Sequence, residues 1–200
     1  MHINIHIAVG IIITSILHYF FNFNLIEYVF VLLLSFICDF DIFFIKFAKN
    51  QNHRLYITHS LIPSIILIII GVIVILFFDY NVILLGGFSY MFHILIDTFD
   101  WGTNLFYFPK KQNGFKLLMS LEELENLPRY LSQYKNPGSF FDTKYYNNSI
   151  CMIIEITLFC MMLISAFIFA LEYIYFISFY FIGLAFHLSR HYQLKKSERN

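Results

Sequence analysis

Six apolar segments, each close to the length of a membrane-spanning helix, constrain what this 200-residue sequence can fold into. A transmembrane helix needs about 20 mainly apolar residues, with a usual range of about 17–25. Hydrophobic residues make up 59% of the chain and charged residues only 13%, whereas a typical soluble domain is about 25% charged. We therefore predict an all-α, polytopic membrane helical bundle. Its expected spans cover residues 5–21, 23–41, 60–78, 82–99, 150–170 and 173–189.

The positive charges predict the orientation of these six transmembrane helices. All 13 Lys and Arg residues lie between spans two and three, between spans four and five, or after span six. Short loops rich in Lys and Arg are retained on the cytoplasmic side. Both termini are therefore expected to be cytoplasmic, with residues 100–149 as a polar cytoplasmic loop of one membrane-embedded domain, 1–200. The net charge of zero gives no indication of a nucleic-acid partner.

Local signals add detail at the ends of these segments. Ser120 and Glu123 match a capping box that opens a short helix, and residues 136–138, Asn-Pro-Gly, indicate a turn. Thr58 and Ser60 are expected to cap span three. The three cysteines are odd in number and form no C-x-x-C pair, so they are interpreted as small core residues. They are Cys38, Cys151 and Cys160.

Ionisable residues interrupt the apolar segments at one predicted membrane face. Such residues are costly at membrane depth and seldom occur there without a function. His93 and Asp97 are four residues apart, so their side chains leave the same face of a helix. Asp39 and Asp41 are close enough to repel each other unless a cation lies between them. Imidazole with carboxylate suits zinc, manganese or iron, and we predict a divalent metal site.

Each of these residues also has an ordinary structural interpretation. A lone His6 or His93 is more often a hydrogen-bonded histidine at a helix end than a ligand. Asp39 and Asp41 could be interfacial carboxylates that reach toward water, and Arg54 could be one more cytoplasmic positive charge. Their shared location at one membrane face favours the metal site over these separate explanations.

Three spaced motifs carry a family resemblance over residues 1 to about 110. They are C-D-F-D at 38–41, H-R-x(3)-T-H-S at 53–60, and a H-x-x-x-D segment from His93 that leads through Gly102 to Pro109. Together they resemble the YdjM-like family of inner-membrane metal-dependent hydrolases. The matching residues are His6, Asp39, Asp41, His53, Arg54, Thr58, His59, Ser60, His93, Asp97, Gly102 and Pro109. Cys38 stands where proline is usual in the family, and Leu55 where glycine follows the H-R pair.

The resemblance implies two or three divalent metal ions, with zinc as the expected metal ahead of manganese and iron. The expected metal ligands are His6, Asp39, Asp41, His59, His93, Asp97 and Glu155. His53 is expected to be a further ligand or a general acid, and Arg54 a clamp for a phosphate group. The order of these residues is also similar to zinc-dependent phospholipases C and single-strand-specific zinc nucleases. Those enzymes carry H-x-x-x-E near the end, where this chain has Cys151 four residues before Glu155.

The expected function is that of a membrane-bound hydrolase in the inner membrane, with its active site facing the cytoplasm. Its expected partners are the lipid bilayer and a membrane-associated phosphoester, a phospholipid among them. One alternative is a non-catalytic, metal-stabilised membrane protein, and another is an ion carrier. A third follows from the family's description as LexA-binding in one context: a membrane platform that contacts a soluble partner through residues 110–148.

Overall fold

The computed structural model describes residues 2–47, 53–108 and 113–199, and within them it leaves out the side chains of residues 45, 46, 53, 121 and 124. Pro109 therefore lies outside the described residues. Helices make up most of the described chain. Within these ranges, the single β interaction is an isolated bridge between Thr103 and Asn113. The prediction of an all-α protein is confirmed.

The α-helices are numbered along the chain. They are α1 (Ile3–Phe21), α2 (Leu25–Leu34), α3 (Leu61–Phe78), α4 (Val82–Asp97), α5 (Leu121–Glu125), α6 (Leu127–Leu131), α7 (Pro137–Asn147), α8 (Ser149–Phe169) and α9 (Ile177–Arg199). Among the described residues, four further segments are 3₁₀ helices: Ile37–Phe47, His53–Leu55, Ile57–His59 and Leu171–Phe176.

Four helical stretches in the described part of the chain are long and apolar enough to cross a membrane. They are Ile3–Phe21, Leu61–Phe78, Ser149–Phe169 and Leu171–Arg199. Helices α2 and α4 are apolar but shorter, with 10 and 16 residues. A helix of 10 residues is about 15 Å long, half the thickness of a bilayer's hydrocarbon core.

The second expected span, 23–41, is divided into two pieces. Helix α2 ends at Leu34, and the Ser35 hydroxyl donates a hydrogen bond to the carbonyl of Leu32 at 2.6 Å. The chain then continues as the 3₁₀ helix Ile37–Phe47. Asp39 and Asp41 lie on this tighter segment, outside the regular helix that the apolar pattern predicts.

Helix α1 is the centre of the bundle. It packs against α2, α4, α8 and α9. In its apolar stretch, 61% of the residues are buried, compared with 11% in α3. Four polar side chains of α1 are fully buried: Asn4, His6, Thr14 and Ser15. Because α1 is enclosed by other helices, its polar residues face protein, whereas the apolar residues of α3 remain available to lipid.

Two glycines allow neighbouring helices to pack closely against each other. A Cβ atom at Gly10 of α1 would overlap the side chain of Ser35, and one at Gly71 of α3 would overlap the backbone of Leu84 in α4. The absence of a side chain at these positions lets the neighbouring backbones approach. Gly10 thus brings α1, with His6 one turn away, against the end of α2.

The described parts of the segment 100–149 contain three short helices. Ser120 and Glu123 form the predicted capping box at the start of α5, which confirms that prediction. The interpretation of residues 136–138 as only a turn is wrong. Asn136 accepts a hydrogen bond from the backbone of Gly138 at 2.9 Å, and Pro137 begins α7, because proline suits the first position of a helix, where its missing N–H costs nothing.

Candidate metal centre

Four separate pieces of the chain bring imidazoles and carboxylates to one buried place. His6 comes from the first turns of α1, Asp39 from the 3₁₀ helix Ile37–Phe47, and His59 from the 3₁₀ helix Ile57–His59. His93 and Asp97 come from the last turns of α4. The side chains of the three histidines are fully buried, and Asp97 is 1% exposed.

The distances between the imidazole and carboxylate donor atoms fit the spacing of metal ligands. His59 Nε2 lies 3.4 Å from Asp39 Oδ1 and 3.6 Å from Asp97 Oδ2. His93 Nε2 lies 3.6 Å from the same Asp39 oxygen and 3.5 Å from the same Asp97 oxygen. Donors bound at about 2.0–2.2 Å around a tetrahedral zinc ion are separated by about 3.3–3.6 Å. The four atoms therefore have the spacing of a ligand set, and the contacts are long for hydrogen bonds.

Hydrogen bonds on the outer nitrogens fix the orientation of two imidazoles. His93 Nδ1 lies 2.8 Å from the carbonyl oxygen of Ser35, which can only accept. His59 Nδ1 lies 2.8 Å from Asp41 Oδ2, which also accepts from the hydroxyl of Thr58. Each Nδ1 is therefore the protonated nitrogen when the ring is neutral, and Nε2 carries the lone pair that a metal would use.

Several ligand-type atoms in this cluster are buried without a hydrogen bond. Among the described residues, no hydrogen-bond partner is found for His93 Nε2 or Asp39 Oδ2. Buried polar atoms are normally satisfied, and an exception calls for an explanation such as an ion. The arrangement, the donor types and these atoms fit a divalent cation. His6 and His93 stack with ring centroids 3.8 Å apart, which adds a third imidazole to the same place.

Arg54 is part of a buried ion-pair network next to the cluster. Its guanidinium contacts both oxygens of Asp100, at 2.7 and 3.1 Å, and Asp97 Oδ1 at 3.0 Å. Burial alone would lower the pKa of Arg54, but the carboxylates of Asp100 and Asp97 raise it further above its usual value. Burial would likewise raise the pKa of Asp100, and Arg54 lowers it. The guanidinium therefore holds Asp97 from the side opposite to His59 and His93.

The neighbouring carboxylates also change the pKa of His59. Burial alone would lower the pKa of its imidazole, but the neighbouring carboxylates of Asp39 and Asp41 raise the pKa to about 9. The carboxylates around this ring therefore favour a positive charge there, carried by a proton or by a metal ion.

The structure brings together five of the seven residues predicted as ligands. They are His6, Asp39, His59, His93 and Asp97. Asp41 lies at the edge of the group, on the outer nitrogen of His59. Glu155 lies in a different set, where it accepts hydrogen bonds from Asn4 at 2.7 Å and Tyr145 at 2.6 Å. The side chain of His53 is outside the described residues, and the donors of Arg54 are directed into the protein.

Three contributors were not predicted from the sequence. The thiol of Cys38 lies within 4.8 Å of the ligand nitrogens of His59 and His93. Asp100 is 1% exposed and forms the main ion pair of Arg54, and the backbone of Ser35 orients His93. Asp100 could have been found, since it follows Asp97 by one helical turn. The roles of Cys38 and Ser35 depend on the chain leaving the helix at residue 35.

A family model described as the YdjM inner membrane protein matches residues 1–174. The chain belongs to this family. The match to YdjM extends beyond the motif-bearing first 110 residues and includes α8, and it confirms the resemblance drawn from the three motifs. Comparison with curated proteins and with solved structures gave no match. The YdjM family is an inner membrane family, and the apolar helices of this member agree with that location.

Proposed function

We propose that this YdjM protein is a membrane-bound, metal-dependent hydrolase that acts on a phosphoester. One observation carries the proposal: in a buried place, His59 Nε2 and His93 Nε2 each lie 3.4–3.6 Å from both Asp39 Oδ1 and Asp97 Oδ2. Structural zinc sites are normally built from cysteine alone or from cysteine with histidine, without carboxylates, whereas histidine with carboxylate is typical of catalytic sites. We therefore favour a catalytic centre over a purely structural one.

The two carboxylates of the centre suit a pair of ions. Asp97 turns Oδ2 toward His59 and His93, while its Oδ1 lies 3.2 Å from His6 Nε2. Asp39 turns Oδ1 to the same two histidines and buries its other oxygen. Asp39 and Asp97 would thus help to hold one ion with His59 and His93 and a second ion with His6. Two such ions would activate a water and stabilise the charge on a phosphoryl group.

Asp41 and Arg54 take supporting roles in this proposal. Asp41 holds His59 through its outer nitrogen, an arrangement that raises the basicity of a ligating imidazole. Arg54 fixes Asp97, because its donors contact Asp97 and Asp100. These contacts favour a positioning role for Arg54 over the phosphate clamp predicted from the sequence. His53 stays a prediction as ligand or general acid.

The surroundings of the centre favour a lipid-soluble substrate. Asp39 and Asp41, with side chains 15% and 9% exposed, are its most accessible residues. Two residues further along the same 3₁₀ helix, Phe43 is 78% exposed and Phe44 is 61% exposed. Exposed aromatic side chains of this kind bury themselves at the boundary between lipid and water. We infer that the substrate enters past Asp39 and carries its phosphoester at headgroup depth.

The proposed topology keeps six membrane crossings, with α2 and α4 as the two short ones, and places both termini and the centre on the cytoplasmic side. It can be tested by cysteine labelling in the Cys160→Ser background, since Cys38 and Cys151 are buried. Asp79→Cys should react with a membrane-impermeant maleimide added outside intact cells, and Glu125→Cys only after the cells are opened. The reverse pattern would invert the orientation.

The function is tested on detergent-purified protein with bound metal measured by elemental analysis. The same samples are assayed on a phosphomonoester, a phosphodiester and a phospholipid. Wild type should contain stoichiometric divalent metal and hydrolyse at least one of these substrates. Asp39→Ala and His93→Ala should lose both properties.

His18→Ala is the matched control for the histidine change. His18 lies on the opposite half of α1 from His6, about 18 Å along the helix axis for 12 residues, and its Nε2 contacts Glu172 at 3.1 Å. This variant should keep metal and activity. Wild type that binds no divalent metal would refute the centre, and bound metal without turnover on any substrate would favour the non-catalytic alternative.

A further inference from the structure

Cys38 borders the proposed metal centre. It precedes Asp39 on the 3₁₀ helix Ile37–Phe47. Its side chain is buried, with 2% of the residue exposed, in an apolar cluster with Tyr90 and Ile94. A buried cysteine among apolar side chains is by itself only a small core residue.

The position of the sulfur indicates a second role for Cys38. Its Sγ and the ligand nitrogens of His59 and His93 all lie within 4.8 Å of one another. A thiolate bound at about 2.3 Å and an imidazole at about 2.0–2.1 Å on one zinc ion are separated by about 3.6 Å. A small adjustment of side chains within the observed spacing is enough to bring all three atoms onto one ion.

An independent observation at His93 points to a ligand in the same place. The side chain of His93 is fully buried, and no hydrogen-bond partner for its Nε2 is found among the described residues. The bond from Nδ1 to Ser35 holds the ring so that this nitrogen faces the cluster. An acceptor nitrogen fixed in this way, next to a thiol and a carboxylate, has the surroundings of a metal ligand.

We propose that the Cys38 sulfur is a ligand of the ion held by His59 and His93, and that it makes the centre select a thiophilic divalent cation. The inference rests on the proposed metal centre. When the metal–sulfur bond forms, the thiol S–H bond breaks and its proton leaves to solvent. A mixed sulfur and nitrogen set favours zinc, whereas manganese and magnesium prefer oxygen ligands. The centre would therefore bind zinc, and also cobalt or cadmium as probes.

The test uses the full chain, stripped of metal and loaded with one equivalent of Co²⁺ or Zn²⁺. In wild type, we expect a near-ultraviolet sulfur-to-cobalt charge-transfer band and, by X-ray absorption of the zinc form, a sulfur neighbour at about 2.3 Å. Cys38→Ser should lose both signals, and its zinc affinity should fall by at least about 10–100-fold, the loss that even supporting residues of a metal site cause. Its manganese affinity should change little.

The other two cysteines provide matched controls. Cys151→Ser alters a buried cysteine and Cys160→Ser an exposed one, and both should keep the sulfur signals. The wild-type spectra decide the matter even if Cys38→Ser fails to fold. Stoichiometric metal with only nitrogen and oxygen neighbours would overturn the role of Cys38 and leave the proposed centre intact. Wild type that takes up no metal would overturn both.

Discussion

His59 Nδ1 lies 2.8 Å from Asp41 Oδ2, and this contact turns the opposite nitrogen of the same ring toward Asp39 and Asp97. Asp41 therefore contacts the imidazole of His59 through a hydrogen bond and does not itself face the proposed ion. The relationship separates two aspartates that are two residues apart in the sequence: Asp39 offers an oxygen to the centre, and Asp41 orients an imidazole.

Replacing Asp41 should weaken metal binding without abolishing it. We expect Asp41→Ala to lower the affinity about 10–100-fold, as is usual for a residue that orients a ligand, while the stoichiometry at saturating metal is kept. Competition titration against a chelator measures the change. Asp142→Ala is the matched control, because Asp142 also pairs with an imidazole, His191 Nδ1, at 2.6 Å, but outside the centre. Equal losses in both variants would contradict the orienting role.

Arg54→Lys should destabilise the folded protein although it keeps the charge. A lysine cannot contact both oxygens of Asp100 and Asp97 together, and breaking a buried ion pair costs about 3–5 kcal/mol. The free energy of unfolding in detergent measures the loss. Arg129→Lys, at an exposed position, should change stability by less than about 0.5 kcal/mol. A small effect at Arg54 would mean that the network adds little to folding.

The ion pair of Asp100 should make stability depend on acid pH. Arg54 lowers the pKa of Asp100 below its unfolded value of about 3.9. The folded state is therefore stabilised at pH values above about 4, and this contribution is lost as the pH falls through the lowered folded pKa. The stability difference between wild type and Asp100→Asn should be constant from pH 8 to about 5 and shrink below about 4. A difference that grows on acidification would contradict the pairing.

Gly10→Ala should disturb the centre through helix packing. The new methyl group would overlap Ser35, whose carbonyl orients His93, and overpacking of this kind costs about 1–3 kcal/mol. Both metal affinity and the unfolding temperature should fall. Gly183→Ala is the control. Gly183 lies on α9, and a Cβ atom there would contact Asn4 of α1 at an ordinary distance of 3.4 Å. That variant should be at least as stable as wild type, because the helix propensity of alanine is more favourable than that of glycine by about 0.8–1.0 kcal/mol.

The helical class, the apolar segments and the shared helix face of His93 and Asp97 could be predicted from the sequence, because each depends on local pattern. Span length and the four-residue spacing of His93 and Asp97 are properties of a single helix. The all-α class and the family are confirmed by the structure and the family match. The number of membrane crossings, the orientation and the reaction stay predictions.

The parts that sequence reasoning missed depend on contacts between distant segments. Apolar content alone extended span two to residue 41, because hydropathy does not register the hydrogen bond of Ser35 or the closer 3₁₀ turn that follows. Glu155 fits the order of a known ligand series, yet Asn4 and Tyr145 hold its carboxylate elsewhere. Arg54 fits a phosphate clamp by residue type, and only its partners Asp97 and Asp100 indicate that it acts within the protein.

The burial of α1 has a consequence for how the protein is made. All the proposed donor atoms, from His6 to Asp97, have left the ribosome before α8 and α9 are synthesised, and those two helices supply much of the wall around α1. During insertion there is therefore a stage at which the ligand set is complete while one side of the first helix is still uncovered. An ion bound by the proposed centre at that stage would be enclosed by the later helices, and metal supply during biogenesis would then determine which ion the mature protein contains.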